Sequence, residues 1–402
     1  MAVKVVHMSL KKIPKGVFAL GFVSMFMDIS SEMIHSILPL FLMGSLGATA
    51  LAVGVIEGIA ESTASIVKIF SGAISDWIGK RKPLLLLGYG LALVTRPLFP
   101  LAHSIDTVLL ARFTDRIGKG IRVAPRDALL ADITPPEIRG AAYGMRQSLD
   151  NIGAVIGPLA ALLLMAWTLN DFRFVFWMAM IPAILVIFII MFFIKEPPRN
   201  PDAVKRPFPW QKKQIALLGL PFWLITLTGS VFTLARFSDA FLILRADSIG
   251  LGPAHAPAIL IAMNIAYAAS SWPAGVLSDR IGRNGLLFCG LGVLIVADML
   301  LAMASTPWLV FAGAALWGLH MGLTQGIITA YVANEAPDHL RGTAFGLYNL
   351  MTGGALLLAS GLAGWLWKFY GPAFTFNAGA VFAALALAGF AALQPYLRKQ
   401  TA

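Results

Sequence analysis

Apolar residues dominate the chain from Gly16 to its carboxyl end, in long runs that only short polar breaks interrupt. A helix needs about 20 such residues to cross the hydrocarbon layer of a membrane. The runs predict twelve membrane-spanning helices, near 16–44, 51–76, 83–102, 106–132, 140–166, 173–194, 216–245, 254–279, 285–304, 307–334, 342–368 and 372–396. The first run follows Lys4, Lys11, Lys12 and Lys15 as in a secretory leader, but it is too long for one and carries Asp28 and Glu32 in its middle. It is expected to remain as the first helix.

The breaks between the runs are unequal in charge. Alternate connections hold Lys11 and Lys12, Lys80 to Lys82, Arg139, Lys195 to Lys213, Arg280, Arg283, Arg341, Arg398 and Lys399, whereas the other side has only Arg173, Arg245 and Lys368 near helix ends. The positive-inside rule places the rich set, and with it both chain ends, in the cytoplasm of a bacterial-type inner membrane. The longest connection, KEPPRNPDAVKRPFPWQKKQI over 195–215, is rich in proline and charge and reads as a linker between halves 1–194 and 216–402.

Composition agrees with the membrane as solvent: 58% of the 402 residues are hydrophobic, 13% are charged, and the mean hydropathy is +0.78. The net charge of +11 lies in short connections rather than in a basic domain, so it reads as a topology signal and not as a nucleic-acid footprint. The single cysteine, Cys289, excludes an intramolecular disulfide and a thiolate metal cluster.

The halves repeat each other. GAISDWIGKR from Gly72 matches GVLSDRIGRN from Gly275, and PPEIRGAAYGM from Pro135 matches APDHLRGTAFGL from Ala336, each pair about 200 residues apart. The first pair resembles the G-x-L-x-D-R-x-G-R-[KR] loop between the second and third helices of the major facilitator superfamily, with Ile74 for Leu and Trp77 for Arg in the first copy. The resemblance covers essentially the whole chain. It implies an all-α integral membrane protein of the MFS fold, with twelve transmembrane helices in two pseudo-symmetric six-helix bundles that rock to expose a site alternately to each side. It also implies a cytoplasmic gate made by Asp76 and Arg81 in one copy and Asp279 and Arg283 in the other. Gly153-Ala-Val-Ile-Gly157-Pro158 looks like the antiporter motif of the fifth helix in proton-driven exporters, where small residues allow close approach and proline bends the helix. Arg112 falls where such exporters often carry an arginine linked to proton transfer, although Asp115-Arg116 replaces their usual Gln-Gly.

Charges inside the spans carry the candidate chemistry. Asp28, Ser31, Glu32 and His35 share one face of the first helix, and Glu57, Glu61 and Lys68 share a stripe of the second. A carboxylate costs about 2.5 kcal/mol or more at the bilayer centre, so these should face a wet cavity. Arg112, Asp115, Arg116, Lys119, Arg122 and Arg126 fall on one half of the fourth helix, and Arg146, Gln147, Asp150 and Asn151 follow on the fifth. Carboxylates held out of bulk water can exchange protons near neutral pH, which makes Asp28, Glu32 and Glu61, with Arg112, the proton-coupling candidates. Arginine stays charged and forks onto carboxylate or phosphate. Arg112, Arg116, Lys119, Arg122 and Arg236, with Asp239, Tyr267, Gln325 and Asn349, are therefore the substrate-binding candidates. The bland alternative is that Asp115 and its arginines form a structural ion pair. No second His or carboxylate stands at ligand spacing around His320, His35 beside Glu32 reads as a proton relay or hydrogen-bond partner, and no metal or cofactor is implied.

The resulting expectation is a secondary active transporter, an antiporter exporting a small anionic or zwitterionic organic solute against protons as a single chain among lipids. Proton-coupled uptake of an organic anion and export of lipophilic cations are the alternatives within that class. A membrane enzyme lacks any H-E-x-x-H, G-x-S-x-G or Walker loop, and a non-transporting sensor lacks a partner domain.

Overall fold

A computed structural model describes residues 14–78, 80–196, 217–324, 327–336 and 340–398, and among them the chain is helical with no strand. Twelve rods follow one another in the described residues. The first, α1, is Lys15–His35, prolonged by Leu38–Leu40 and a π-helical turn Phe41–Ser45. Then come α2, Ala50–Ile78; α3, Lys82–Thr95 with a 3-10 turn Arg96–Leu98; α4, Ile105–Asp132; and α5, Arg139–Trp167. Two pieces, Phe172–Met178 and Met180–Phe193, make α6. Another two, Leu220–Ala235 and Ala240–Ser248, make α7. The stretch Ala258–Met303 is divided at Gly282 into α8 and α9. Finally, Pro307–Thr324 and Ile327–Glu335 form α10, Arg341–Tyr370 is α11 and Pro372–Arg398 is α12. Eight of the described helical stretches are long and apolar enough by themselves to cross a membrane. The others are shorter or, like α4, more polar.

Local chemistry sets the ends. Ser104 caps α4 by accepting from Thr107 N at 3.3 Å, and Asp171 caps α6 by accepting from Arg173 N and Phe174 N at 3.0 and 3.1 Å. Gly371, at φ +91°, closes α11, and Pro372 opens α12. Gly282, a glycine of the repeated loop, has φ +74°, a left-handed turn that lets the chain pass from α8 into α9. Long cations satisfy the last carbonyls of neighbouring helices: Arg173 donates to Pro100 O and Ala102 O, Arg245 to Leu301 O and Ala302 O, and Lys82 to Met191 O and Ile194 O.

One run departs from the sequence pattern. The apolar stretch over 216–245 reads as one span, yet α7 opens between Ala235 and Ala240. The freed backbone is held by side chains: Ser238 N donates to Ser360 Oγ at 3.2 Å, and Ala240 N donates to Ser238 Oγ at 3.2 Å. Unwound backbone inside a membrane requires such replacements.

The chain forms two compact units, residues 1–35 with 66–207 and residues 36–65 with 208–402. In the first, α1 lies along α5, α3 along α4, and the second piece of α6 against α1 and α3. Its core is Val17, Leu20, Val23 and Met27 of α1, Leu85, Tyr89 and Ala92 of α3, Leu129 and Leu130 of α4, and Val186, Ile190 and Ile194 at α6. Lipid is as apolar as leucine, so such helices associate through close packing. Gly88 and Gly118 supply it for α3 and α4: a Cβ on Gly118 would lie 2.5 Å from Gly88 O. In the second unit, α10 packs on α8 through Gly318 and on α9 at Gly290, while α12 packs on α7. Here too Gly54 and Gly58 of α2 seat against Ser360 and Leu357 of α11.

Candidate substrate and proton-coupling site

The α1 face begins one turn above the apolar core. Asp28, Ser31 and Glu32 are half-buried and His35 is buried, with its Nδ1 3.6 Å from Glu32 Oε2. The Gly153-to-Pro158 segment of α5 lies directly against this face. A Cβ on Gly153 would come within 2.5 Å of Met25 O and 3.0 Å of Asp28 Cβ, and one on Gly157 within 2.6 Å of Glu32 Cβ. Only glycine allows that approach, so the small residues of α5 place its polar face beside the α1 carboxylates. Asp150, one turn from Gly153, and Lys119 of α4 both act electrostatically on Asp28. Arg116 and Lys119 act with His35 on Glu32.

Behind this face sits a buried ion-pair hub. Arg96, 1% exposed, places Nη1 3.5 Å from Asp115 Oδ1 and donates from Nη2 to Ser31 Oγ at 3.0 Å. Asp115 is itself 1% exposed, and Arg116 Nε lies 3.9 Å from its Oδ2. The arrangement joins α1, α3 and α4. Arg96 is a charge within a span, and its partnership with Asp115 depends on the packing of α3 on α4.

The other α4 cations separate. Arg112 is buried. Arg122 turns to α3, where its guanidinium lies 4.8 Å from the centre of the Tyr89 ring and faces Gly88 O. Arg126 donates to Ser24 Oγ at 3.1 Å and pairs with Asp127 at 3.0 Å, while Tyr143 OH donates to Asp127 O. On α5, Arg146 lies 3.4 Å from Asp150 Oδ2 and donates to Gln147 Oε1, and Gln147 donates to Asn151 Oδ1. Thus Asp28, Glu32, Arg116 and Lys119 converge in the first unit, and Arg122 points away toward Tyr89.

The remaining candidates lie elsewhere. Glu61 is half-buried and Glu57 buried on the part of α2 that belongs to the second unit. Arg236 and Asp239 bound the opening of α7, and Tyr267, Tyr348 and Asp239 act electrostatically on Arg236. Asn349 is half-buried on α11. His320 of α10 is fully buried, edge-on to Trp317 with ring centroids 5.6 Å apart. Gln325 falls outside the described residues, as do the side chains of Asp76, Asp279 and Arg283. Of the gate candidates, Arg81 is described: its side chain donates to Ser75 Oγ and lies 3.4 Å from Asp132 Oδ2, and Glu196 accepts from its backbone N–H. The sequence reading passed over Asp298, alone among apolar neighbours on α9 and 0% exposed. Its signal is a carboxylate in the middle of an otherwise apolar span.

Apolar helical spans with charged groups gathered inside them define a multi-pass membrane transporter. The chain belongs to the Major Facilitator Superfamily, whose family model matches residues 20–251 and 239–401. It is 34% identical over 381 residues, 93% of each chain, to an uncharacterized MFS-type transporter of Methanocaldococcus jannaschii. It is 26% identical over 387 residues, 92% of this chain and 80% of the other, to the inner membrane transport protein YajR of Escherichia coli. Multidrug resistance protein MdtH of Photorhabdus laumondii is 25% identical over 368 residues, 88% of this chain and 86% of that one. The crystal structure of the nucleoside transporter NupG has the same fold, with a TM-score of 0.78 at 12% identity over 94% of this chain and 99% of that one.

Proposed function

We propose that the protein is a proton-coupled antiporter that exports a small anionic or zwitterionic organic solute across a bacterial-type inner membrane by alternating access. The observation that carries this reading is the convergence of Asp28 and Glu32 of α1 with Arg116 and Lys119 of α4 and Asp150 of α5. The ionised carboxylate together with Lys119 and Arg116 takes the charged groups of the solute, and proton binding to the carboxylate breaks up that network and displaces the solute, so proton and solute hold the site by turns. That competition makes exchange obligatory. Arg112 supports the charge balance from α4, and Arg236, Asp239, Tyr267, Gln325 and Asn349 contribute solute contacts from the carboxyl-terminal half. Glu61 is a further proton carrier.

Export is favoured over uptake by the Gly153–Gly157–Pro158 motif and by the name of the MdtH relative, a multidrug resistance protein. The basic connections support a topology with both chain ends in the cytoplasm, Arg81 in a gate there, and 195–215 as the linker between halves 1–194 and 216–402. The test is purified protein in liposomes loaded with a pH-sensitive dye, under an imposed proton gradient, screened with organic anions and with lipophilic cations. Anion-stimulated proton flux lost in Asp28→Asn supports the proposal. Flux with lipophilic cations alone supports a multidrug exporter, and solute moving with the proton supports uptake.

A further inference from the structure

We propose that Asp298 of α9 is a proton-binding site of the second unit, separate from the carboxylates of α1. Its side chain is 0% exposed, and neither carboxyl oxygen has a hydrogen-bond partner among the described residues. What covers it is apolar. A Cβ added to Gly379 of α12 would lie 2.6 Å from Asp298 Oδ2, and Phe237 Cε1, from the opening of α7, lies 3.0 Å from that same point. Phe237 and Gly379 also line a small cavity, with Leu234, Thr375 and Phe382.

Among the described residues, no charge on the surrounding helices answers this carboxyl. On α7, Arg236 is set among Tyr348, Tyr267 and Asp239, and Arg245 is spent on the carbonyls of Leu301, Ala302 and Ala304. Asp247 lies in the last turn of α7, where only burial perturbs it. Among the described side chains, α10 carries His320, which feels Arg236, with Tyr331 and Glu335 in its second piece; α8 brings Tyr267, α9 itself Cys289, and α12 none. A buried carboxylate without donor or cation is penalised by several kcal/mol. A metal ion would demand a shell of several oxygens, and neither Phe237 nor Gly379 offers a side-chain oxygen. A proton needs only the carboxyl itself. Gly379, set against Asp298, also lines the small cavity beside Phe237, which is the route proposed for the proton.

The test uses the full chain in liposomes. Dicyclohexylcarbodiimide, which reacts with protonated carboxyls in apolar surroundings, is applied at mildly acidic and at alkaline pH, and the adduct is located by peptide mass mapping. The expected result is an adduct at Asp298 whose yield falls about tenfold per pH unit above its titration midpoint and which is missing in Asp298→Asn. In parallel, thermal unfolding of the two proteins is followed against pH. A group protonated when folded and ionised when unfolded stabilises at low pH and ceases to do so as pH rises, so wild type should lose ground to Asp298→Asn on going alkaline. Unfolding midpoints that move in parallel overturn the proposal. Where the variant does not accumulate, labelling of wild type decides alone, and absence of the adduct at acidic pH overturns it.

Discussion

Gly157 of α5 lies directly behind Glu32 of α1, so close that a Cβ on the glycine would sit 2.6 Å from the Glu32 Cβ. The packing motif and the carboxylate are two faces of one contact. Gly157→Ala should therefore push α5 off α1 at a cost of about 1–3 kcal/mol, typical of overpacking, and lower proton-driven transport with it. Gly144 is the control on the same helix, since a Cβ there meets nothing within 4 Å. Gly144→Ala should leave the unfolding midpoint unchanged or raise it slightly. Thermal unfolding in detergent with a liposome flux assay distinguishes the two, and equal effects would show that the contact is unimportant.

The Arg96–Asp115 pair is buried on both sides, with 2% of each side chain exposed. Removing one partner strands the other charge, so Asp115→Asn should destabilise by about 3–5 kcal/mol. Neutralising both, as Arg96→Gln with Asp115→Asn, should recover part of that loss through a coupling of about 0.5–3 kcal/mol. A double-mutant cycle on unfolding midpoints measures it. Strictly additive losses would mean that the two groups do not depend on each other.

The spans were legible because a run of apolar residues longer than a membrane is thick has few other uses. The α4 charges were legible as one helical face, since the spacing 112, 115, 116, 119, 122, 126 fixes angles around the axis. What spacing could not give is which neighbour each side chain reaches: Arg122 meets Tyr89, whereas Arg96 of α3 takes Asp115. The opening of α7 was hidden for a similar reason. Its apolar pattern runs on past Arg236, and the hydroxyl that holds the unwound Ser238 comes from Ser360, far along the chain. Asp298 has no polar companion at helical spacing within its span, so a search for clusters passed it by.

Arg81 ties the α2–α3 turn to Ser75 and Asp132, and the Asp132 side chain is 45% exposed. An ion pair so open to water is worth about 0–1 kcal/mol and weakens with salt. Asp132→Ala should therefore change the unfolding midpoint little. If Arg81 belongs to a gate, Arg81→Ala should slow solute flux several-fold while shifting stability no more than Asp132→Ala does. Flux and stability that fall together would make Arg81 a structural residue.

Asp28 gives the sharpest separation of proton coupling from solute binding. Asp150 of α5 and Lys119 of α4 both act on it electrostatically. Asp28→Asn keeps the shape of the side chain but can neither take up nor release a proton, while Lys119 and Arg116 stay in place for the solute. Solute exchange, in which labelled solute outside replaces unlabelled solute inside, requires no net proton movement and should persist within a few-fold of wild type. Transport driven by a proton gradient should fall at least tenfold, because the site can no longer release what it never bound. Lys119→Gln should show the opposite pattern, losing exchange and gradient-driven transport together, since the cation is the group that would receive the solute's anionic end. Both assays use the same liposomes and solute. Equal loss of exchange and driven transport in Asp28→Asn would assign Asp28 to solute binding or folding instead of proton coupling.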